Sequence, residues 1–197
     1  DRLSSLLFNN CQNLREFRCY VFLLINIMTS YKDHLEILEL VQTFLIHICG
    51  GEIEDINHLF WLLTYRIHRD EHNIILKFRN KFINKIDSSK YELIKNSYHL
   101  TQNIIKILNS HNVENHIQKL IVFLRTFSFD DNKCLLPVNT TGCIDNIKYN
   151  NLQILSSKTK PILIPCVIGG TDYKVLIKNE DINREYIIMN IIKLINT

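Results

Sequence analysis

The sequence predicts an α+β protein in which a helical region precedes a small sheet. Apolar residues recur every three or four positions as far as about residue 130, which is the period of helices that bury one face. The residue pattern then changes. All 3 prolines and a Gly-Gly pair fall after that point, between short strand-like runs. We therefore place a domain boundary near residue 130, with an all-α domain over residues 1–130 and a β-containing domain over residues 131–197.

Successive apolar stripes predict the helices of the first domain. The stripes run over residues 35–48, 56–67, 75–86, 91–108 and 113–127. Gly50-Gly51 interrupts the pattern after the first stripe, and Asp87-Ser88-Ser89 interrupts it after the third, which predicts helix ends at both places. Helices of this length joined by short turns favour antiparallel hairpins in a solenoid-like arrangement.

Short runs in the second domain predict a small sheet followed by one helix. The strand-like runs are residues 152–155, 162–168 and 173–177. Residues 182–196 return to a helical period, with Tyr186, Met189 and Ile192 on one stripe. The order is that of a kinase-type nucleotide-binding lobe, in which a lysine-bearing strand precedes a helix.

Composition excludes several classes of protein. The chain has 197 residues, 46% hydrophobic and 22% charged, which is typical of a globular protein. Its net charge of +3 is too small to indicate a nucleic-acid partner. The 6 cysteines show no metal-type or redox-type short spacing, so we expect reduced thiols. The apolar run over residues 20–28 is too short to span a bilayer. Separately, we interpret the chain as a fragment of a longer cytoplasmic protein.

The first candidate for chemistry is Lys178, which ends the run Val175-Leu176-Ile177. A lysine at the end of a buried strand offers a point charge that can reach a phosphate oxygen. Glu185 falls about one turn into the following predicted helix, where its carboxylate could pair with the lysine. The alternative interpretation is a surface lysine beside a capped helix.

The second candidate is the segment Ser156-Ser157-Lys158-Thr159-Lys160-Pro161, between two predicted strands. Small hydroxyl residues at a hairpin let backbone N–H groups approach phosphate oxygens. The segment lacks the glycines of a Walker loop, and an ordinary polar turn is the alternative for these residues taken alone.

Together these features resemble the phosphatidylinositol 3-/4-kinase superfamily, over residues 15–197. In that family a strand ends in Phe-Lys and is followed by Gly-Asp-Asp-Leu-Arg-Gln-Asp and a helix. The matching residues here are Ile177-Lys178 and then, without the glycine, Glu180-Asp181-Ile182-Asn183-Arg184-Glu185. Further matches are the linker-like Leu136-Pro137-Val138-Asn139, the phosphate-loop-like Ser156 to Pro161, and two landmarks of the helical accessory domain, Leu40-Val41-Gln42 and His58-Leu59-Phe60-Trp61.

The resemblance implies specific roles and partners. Gly169-Gly170-Thr171 before the lysine strand is most similar to class III, vacuolar-sorting phosphatidylinositol 3-kinases. The family fold would make residues 1–130 a helical accessory domain and residues 131–197 part of a kinase N-lobe. By resemblance, Lys178 contacts ATP phosphates, Glu185 replaces the aspartate that orients it, and Ser156, Ser157 and Lys158 line the phosphate loop.

The same resemblance implies a cofactor and a location. The cofactor would be ATP with Mg²⁺ or Mn²⁺, whose metal ligands belong to a C-lobe that this chain lacks, so we expect the chain alone to be inactive. The substrate would be phosphatidylinositol in endosomal or autophagic membranes, to which the protein would bind peripherally. Regulatory protein-kinase-like and coiled-coil subunits would be its protein partners.

Two other functions stay open at this point. A protein Ser/Thr kinase of the target-of-rapamycin group has a similar Ser-Lys-x-x-Pro loop after a helical repeat region. A non-catalytic helical scaffold related to pseudokinases would also carry a pair such as Arg184-Glu185 at the start of the helix. Retention of Lys178 favours a nucleotide-binding protein over the scaffold.

Overall fold

The architecture is α+β, as the sequence predicts. The computed structural model describes residues 20–67, 70, 72–110, 115–137, 142–158 and 160–178. In this part of the chain, helices precede a four-stranded antiparallel sheet. The residues group into two compact units, which divide between Asp87 and Ser88.

The first unit contains four helices within its described residues. They are α1 (Val21–Ser30), α2 (Leu35–Cys49), α3 (Ile53–Arg66) and α4 (Ile74–Ile83). Each helix packs on the next along the chain, and α1 also contacts α3. The apolar stripes become the buried faces, and the fully buried large side chains include Ile25, Met28, Leu45, Ile56, Leu63, Phe78 and Phe82.

The end of α2 is fixed by a glycine. The Gly50 N–H donates to the Ile46 carbonyl at 2.8 Å. A Cβ at position 50 would lie 2.5 Å from that same oxygen, so a larger residue would force the backbone to move. The helix end predicted at Gly50-Gly51 is therefore confirmed, with a steric reason for the first of the two glycines.

The second unit packs two helices on a sheet. Its helices are α5 (Ser88–Leu108) and α6 (His116–Thr126), and its strands are β1 (Ile144–Ile147), β2 (Gln153–Ile154), β3 (Ile162–Ile168) and β4 (Thr171–Ile177). A short 3₁₀ turn, Tyr149–Asn151, connects β1 to β2. The helices supply Leu100, Ile104, Leu108, Leu120 and Leu124 to the same core as the buried strand side chains.

β3 is the central strand of the sheet. On one side it pairs along its full length with β4, from Ile162–Ile177 to Ile168–Thr171. On its other side β1 covers one half and β2 the other. Burial alternates along β3, so the sheet has an inner face in the core and an outward face, on which Leu163, Pro165 and Val167 lie.

The predicted strands and helices compare closely with this architecture, with three differences. The apolar stripes begin at residue 35, so α1 is not among the individually predicted helices. The sequence does not predict β1, and the run predicted over residues 152–155 forms only the two-residue β2. The helix predicted over residues 182–196 lies outside the described residues. The predicted boundary near residue 130 coincides with the change from helices to strands. The two compact units of the structure instead divide between Asp87 and Ser88.

The described cysteines are free thiols. Cys49, Cys134 and Cys166 are buried, and Cys143 is partly buried. Burial raises the pKa of the Cys134 thiol to about 12, so this thiol stays protonated at neutral pH. Of the helices that the structure describes, none combines the length and the apolar character needed to cross a bilayer.

Candidate functional site

The predicted phosphate loop is an exposed connection between β2 and β3. Ser156, Ser157 and Lys158 are all exposed to solvent. The base of the loop is closed by a hydrogen bond from the Leu155 N–H to the Pro161 carbonyl at 2.9 Å. A fixed base holds the hydroxyl groups and the lysine at one end of the sheet.

The loop presents hydrogen-bond donors. Within it, Ser157 N–H donates to the Leu155 carbonyl at 2.9 Å, and Lys160 N–H donates to the Ser157 carbonyl at 3.1 Å. The backbone N–H groups of Ser156 and Lys158 make no hydrogen bond to another described residue. The loop therefore carries two backbone donors that no other described residue accepts, and the hydroxyl and ammonium groups belong to exposed residues.

One loop residue adopts a strained backbone. Lys160 has a φ of 45°, in the left-handed region that residues other than glycine rarely occupy. Residues held in such conformations cluster at ligand-binding sites, where the surrounding structure maintains them.

The sheet register brings Lys178 to the same end as the loop. Ile177, the last residue of β4, pairs with Ile162, the first residue of β3. Lys178 follows immediately, is exposed, and lies level with Pro161 at the base of the loop. The structure thus places Ser156, Ser157, Lys158 and Lys178 at one end of the sheet, which the sequence predicted only from their order along the chain.

An apolar pair, of which one member is exposed, lies next to Lys178. Side chains alternate between the two faces of a strand, so Lys178 continues the row of Lys174 and Leu176 on the outward face. Leu176 is 44% exposed and pairs with Leu163 on β3. This pair offers an apolar surface directly beside the charged end of the sheet.

A cleft of about 430 Å³ indents the same outward face. Leu163 and Pro165 line it, together with side chains that include Lys148, Asp172 and Lys174. The Lys148 ammonium donates to both carboxylate oxygens of Asp172 at 2.7 Å, which fixes one wall. Sequence reasoning missed this cleft; the alternation of Lys174, Leu176 and Lys178 along β4 is the signal that could have shown the face.

The remaining predicted site residue is not placed. Glu185 lies outside the described residues, so its pairing with Lys178 stays a prediction. Across the part of the chain that the structure describes, no three His, Cys, Asp or Glu side chains converge as metal ligands would.

Comparison with protein-family models finds no match to this chain, and comparison with curated proteins finds none either.

Proposed function

We propose that this chain is part of a phosphatidylinositol 3-kinase and that the end of the sheet binds the phosphates of ATP. The observation that carries the proposal is the register of β3 and β4, which sets Lys178 level with the base of the loop that bears Ser156, Ser157 and Lys158. Two lysines and the backbone N–H groups of the loop would provide charge and directional hydrogen bonds for a polyphosphate.

The outward face supports the same assignment. A nucleotide has an apolar planar base joined to a charged phosphate chain. The exposed Leu176 pairs with the partly buried Leu163 beside Lys178, so one side of the sheet offers both kinds of surface. ATP would supply the phosphoryl group for transfer to the 3-hydroxyl of phosphatidylinositol, and this chain would hold the nucleotide.

The proposal extends to the surroundings of the enzyme. Mg²⁺ or Mn²⁺ would be held by residues of the longer protein, because phosphoryl transfer needs such ligands. Peripheral binding to endosomal or autophagic membranes and regulatory subunits of the protein-kinase-like and coiled-coil kinds belong to the same proposal.

Nucleotide binding tests the site on this chain. Calorimetric titration with ATP should give saturable binding that Lys178→Met weakens at least tenfold, a loss of about 1.4 kcal/mol. The control is Lys174→Met, which removes the same charge from the same face of β4 but four residues before Lys178. Equal affinities for wild type and Lys178→Met would remove the assignment of this lysine.

Activity of the longer protein tests the reaction. We expect ATP-dependent formation of a 3-phosphorylated lipid from phosphatidylinositol, and loss of this activity in Lys178→Met. A peptide assayed alongside discriminates the alternatives: phosphorylation of the peptide alone would favour the target-of-rapamycin group. Neither activity, together with no ATP binding, would favour the non-catalytic scaffold.

A further inference from the structure

One side of α4, and of the turn that follows it, carries exposed positive charge. Residues 73–86 contain four basic side chains and no acidic one. Three of the four, Lys77, Lys81 and Lys85, are exposed to solvent. Lys77 and Lys81 are one turn apart on α4, and the Lys85 N–H donates to the Phe82 carbonyl at 2.9 Å, which continues the helical path. We name Lys77, Lys81 and Lys85 the basic face of α4.

The opposite side of α4 fixes the orientation of this face. Ile75, Phe78 and Phe82 are completely buried, and the helix packs on α3. The basic face therefore stays in solvent, over a length of about 12 Å between Lys77 and Lys85 at 1.5 Å per residue.

The fourth basic side chain points elsewhere. The Arg79 guanidinium donates to the Thr64 hydroxyl at 3.3 Å and lies over the Phe60 ring, 5.7 Å from its centroid. Both partners belong to α3. The exposed charge of α4 is therefore that of the lysines alone.

The three lysines are not neutralised within the described part of the chain. No carboxylate described there lies within ion-pair distance of their ammonium groups. Lys81 donates to the neutral Gln42 side chain at 3.2 Å. The negative end of the helix dipole favours cations in the last turn, which accounts for Lys81 and Lys85 but not for Lys77 in the first half of α4.

Apolar side chains border the basic face. Leu76 and Ile83 are only partly buried, and helical spacing sets them on the side of the exposed Asn80 that is remote from the lysines. Association with a bilayer surface combines attraction between basic side chains and anionic lipids with burial of apolar side chains at the headgroup boundary. The exposed part of α4 offers both.

We propose that the basic face of α4 binds the surface of an anionic lipid bilayer. The inference rests on the proposed function for the kind of partner and assigns the membrane contact to particular residues. Lysine ammonium groups on long stems reach headgroup phosphates as point charges. A nucleic acid fits less well, because the net charge of the chain is only +3 and Arg79 faces α3.

Cosedimentation of the chain with vesicles tests the proposal. We expect binding to phosphatidylcholine vesicles that contain phosphatidylserine, and much weaker binding to phosphatidylcholine alone. Raising the salt from about 0.1 M to about 1 M should abolish binding, because the screening length falls from about 10 Å to about 3 Å.

Neutralising the lysines tests the assignment to α4. The double variant Lys77→Gln, Lys85→Gln should weaken vesicle binding roughly 25-fold, since each lysine near an anionic surface contributes about fivefold. It leaves Lys81 in place, because the bond from Lys81 to Gln42 joins α4 to α2. The control is Lys106→Gln, Lys133→Gln, which makes the same charge change on exposed lysines of the second unit and should weaken binding less than threefold.

Circular dichroism verifies that each variant is folded before it is assayed. The proposal is overturned if the chain does not bind phosphatidylserine vesicles, or if the control weakens binding as much as the double variant does. Tighter binding of polyuridylic acid than of these vesicles, lost in the same double variant, would also overturn it in favour of a nucleic-acid surface.

Two further measurements locate the contact and separate it from the nucleotide site. Asn80→Trp sets a fluorophore beside the basic face, and its emission should be quenched by brominated phosphatidylcholine only when phosphatidylserine is present; no quenching of the bound protein would overturn the proposal. The double variant should bind ATP with unchanged affinity. Vesicle binding without ATP binding would remove the nucleotide assignment and support the basic face, whereas ATP binding without vesicle binding would do the reverse.

Discussion

At the scale of single residues, Ser97 joins a helix to the segment that leads into the sheet. Its side chain is fully buried on α5. The hydroxyl donates to the Leu93 carbonyl at 2.6 Å and accepts from the Leu135 N–H at 2.7 Å. Because Leu135 belongs to no helix or strand, this hydroxyl replaces the backbone partner that regular structure would provide.

We expect Ser97→Ala to destabilise the second unit by about 2 kcal/mol. The change leaves the buried Leu135 N–H without its acceptor. The resulting loss of stability exceeds the small stabilisation that alanine provides through its higher helix propensity. Urea unfolding followed by circular dichroism measures the loss, and faster hydrogen exchange of the Leu135 amide locates it.

The matched control for this prediction is Ser128→Ala. Ser128 also forms side-chain hydrogen bonds, but in an exposed turn where water can replace them. If the two variants unfold at the same urea concentration, then the Ser97 hydroxyl does not hold the segment.

The candidate site shows which features of single residues can be predicted from the sequence and which cannot. Lys178 and the loop at Ser156 stand out because strand patterns flank them. Their proximity depends on the pairing of Ile162 with Ile177, whose register follows from the two-residue turn at Gly169-Gly170 together with the lengths of both strands.

At the scale of elements, periodicity predicts strands and helices only where one face is buried regularly. β3 has strictly alternating burial, and the sequence predicts its bounds at residues 162–168. β1 escapes prediction because it has four residues, of which the central two are exposed. A bulge at Asp145 also shifts its register, and a bulge breaks the alternation on which strand prediction depends.

The hairpin between β3 and β4 depends on two glycines. Ile168 pairs with Thr171, so Gly169 and Gly170 form a two-residue turn with φ of 55° and 76°. Positive φ at both positions is the type I′ geometry, which matches the twist of the strands. The Asp145 carboxylate accepts from the Gly170 N–H at 2.8 Å, so the bulge of β1 supports the turn.

We expect Gly169→Val to destabilise the second unit by about 1–2 kcal/mol, and Gly169→Asn to change its stability little. No atom lies within 4 Å of a Cβ built at this position, so the cost comes from the backbone conformation and not from a clash. A β-branched residue is strained at positive φ, whereas Asn-Gly is favoured in this turn. Thermal unfolding compares the two variants, and equal melting temperatures would contradict the assignment of the turn.

At the scale of the whole molecule, the division into compact units differs from the division that the sequence composition suggests. A helical period shows that one face of a helix is buried, but not which partner buries it. The core of the second unit takes large side chains from α5 and α6 as well as from the strands, so both helices fold with the sheet. A boundary read from composition near residue 130 marks a change of secondary structure, which need not separate compact units.

This division predicts how fragments of the chain behave. A fragment of residues 88–197 keeps α5 and α6 over the inner face of the sheet, and we expect it to give a folded NMR spectrum. A fragment of residues 131–197 loses Leu100, Leu120 and the other helical members of that core. Exposing the six buried strand side chains, Ile144, Ile147, Ile162, Ile164, Cys166 and Ile168, costs on the order of 10 kcal/mol, comparable with the whole stability of a domain. We therefore expect the shorter fragment to be unfolded or aggregated, and a well-dispersed spectrum from it would show that the sheet does not need these helices.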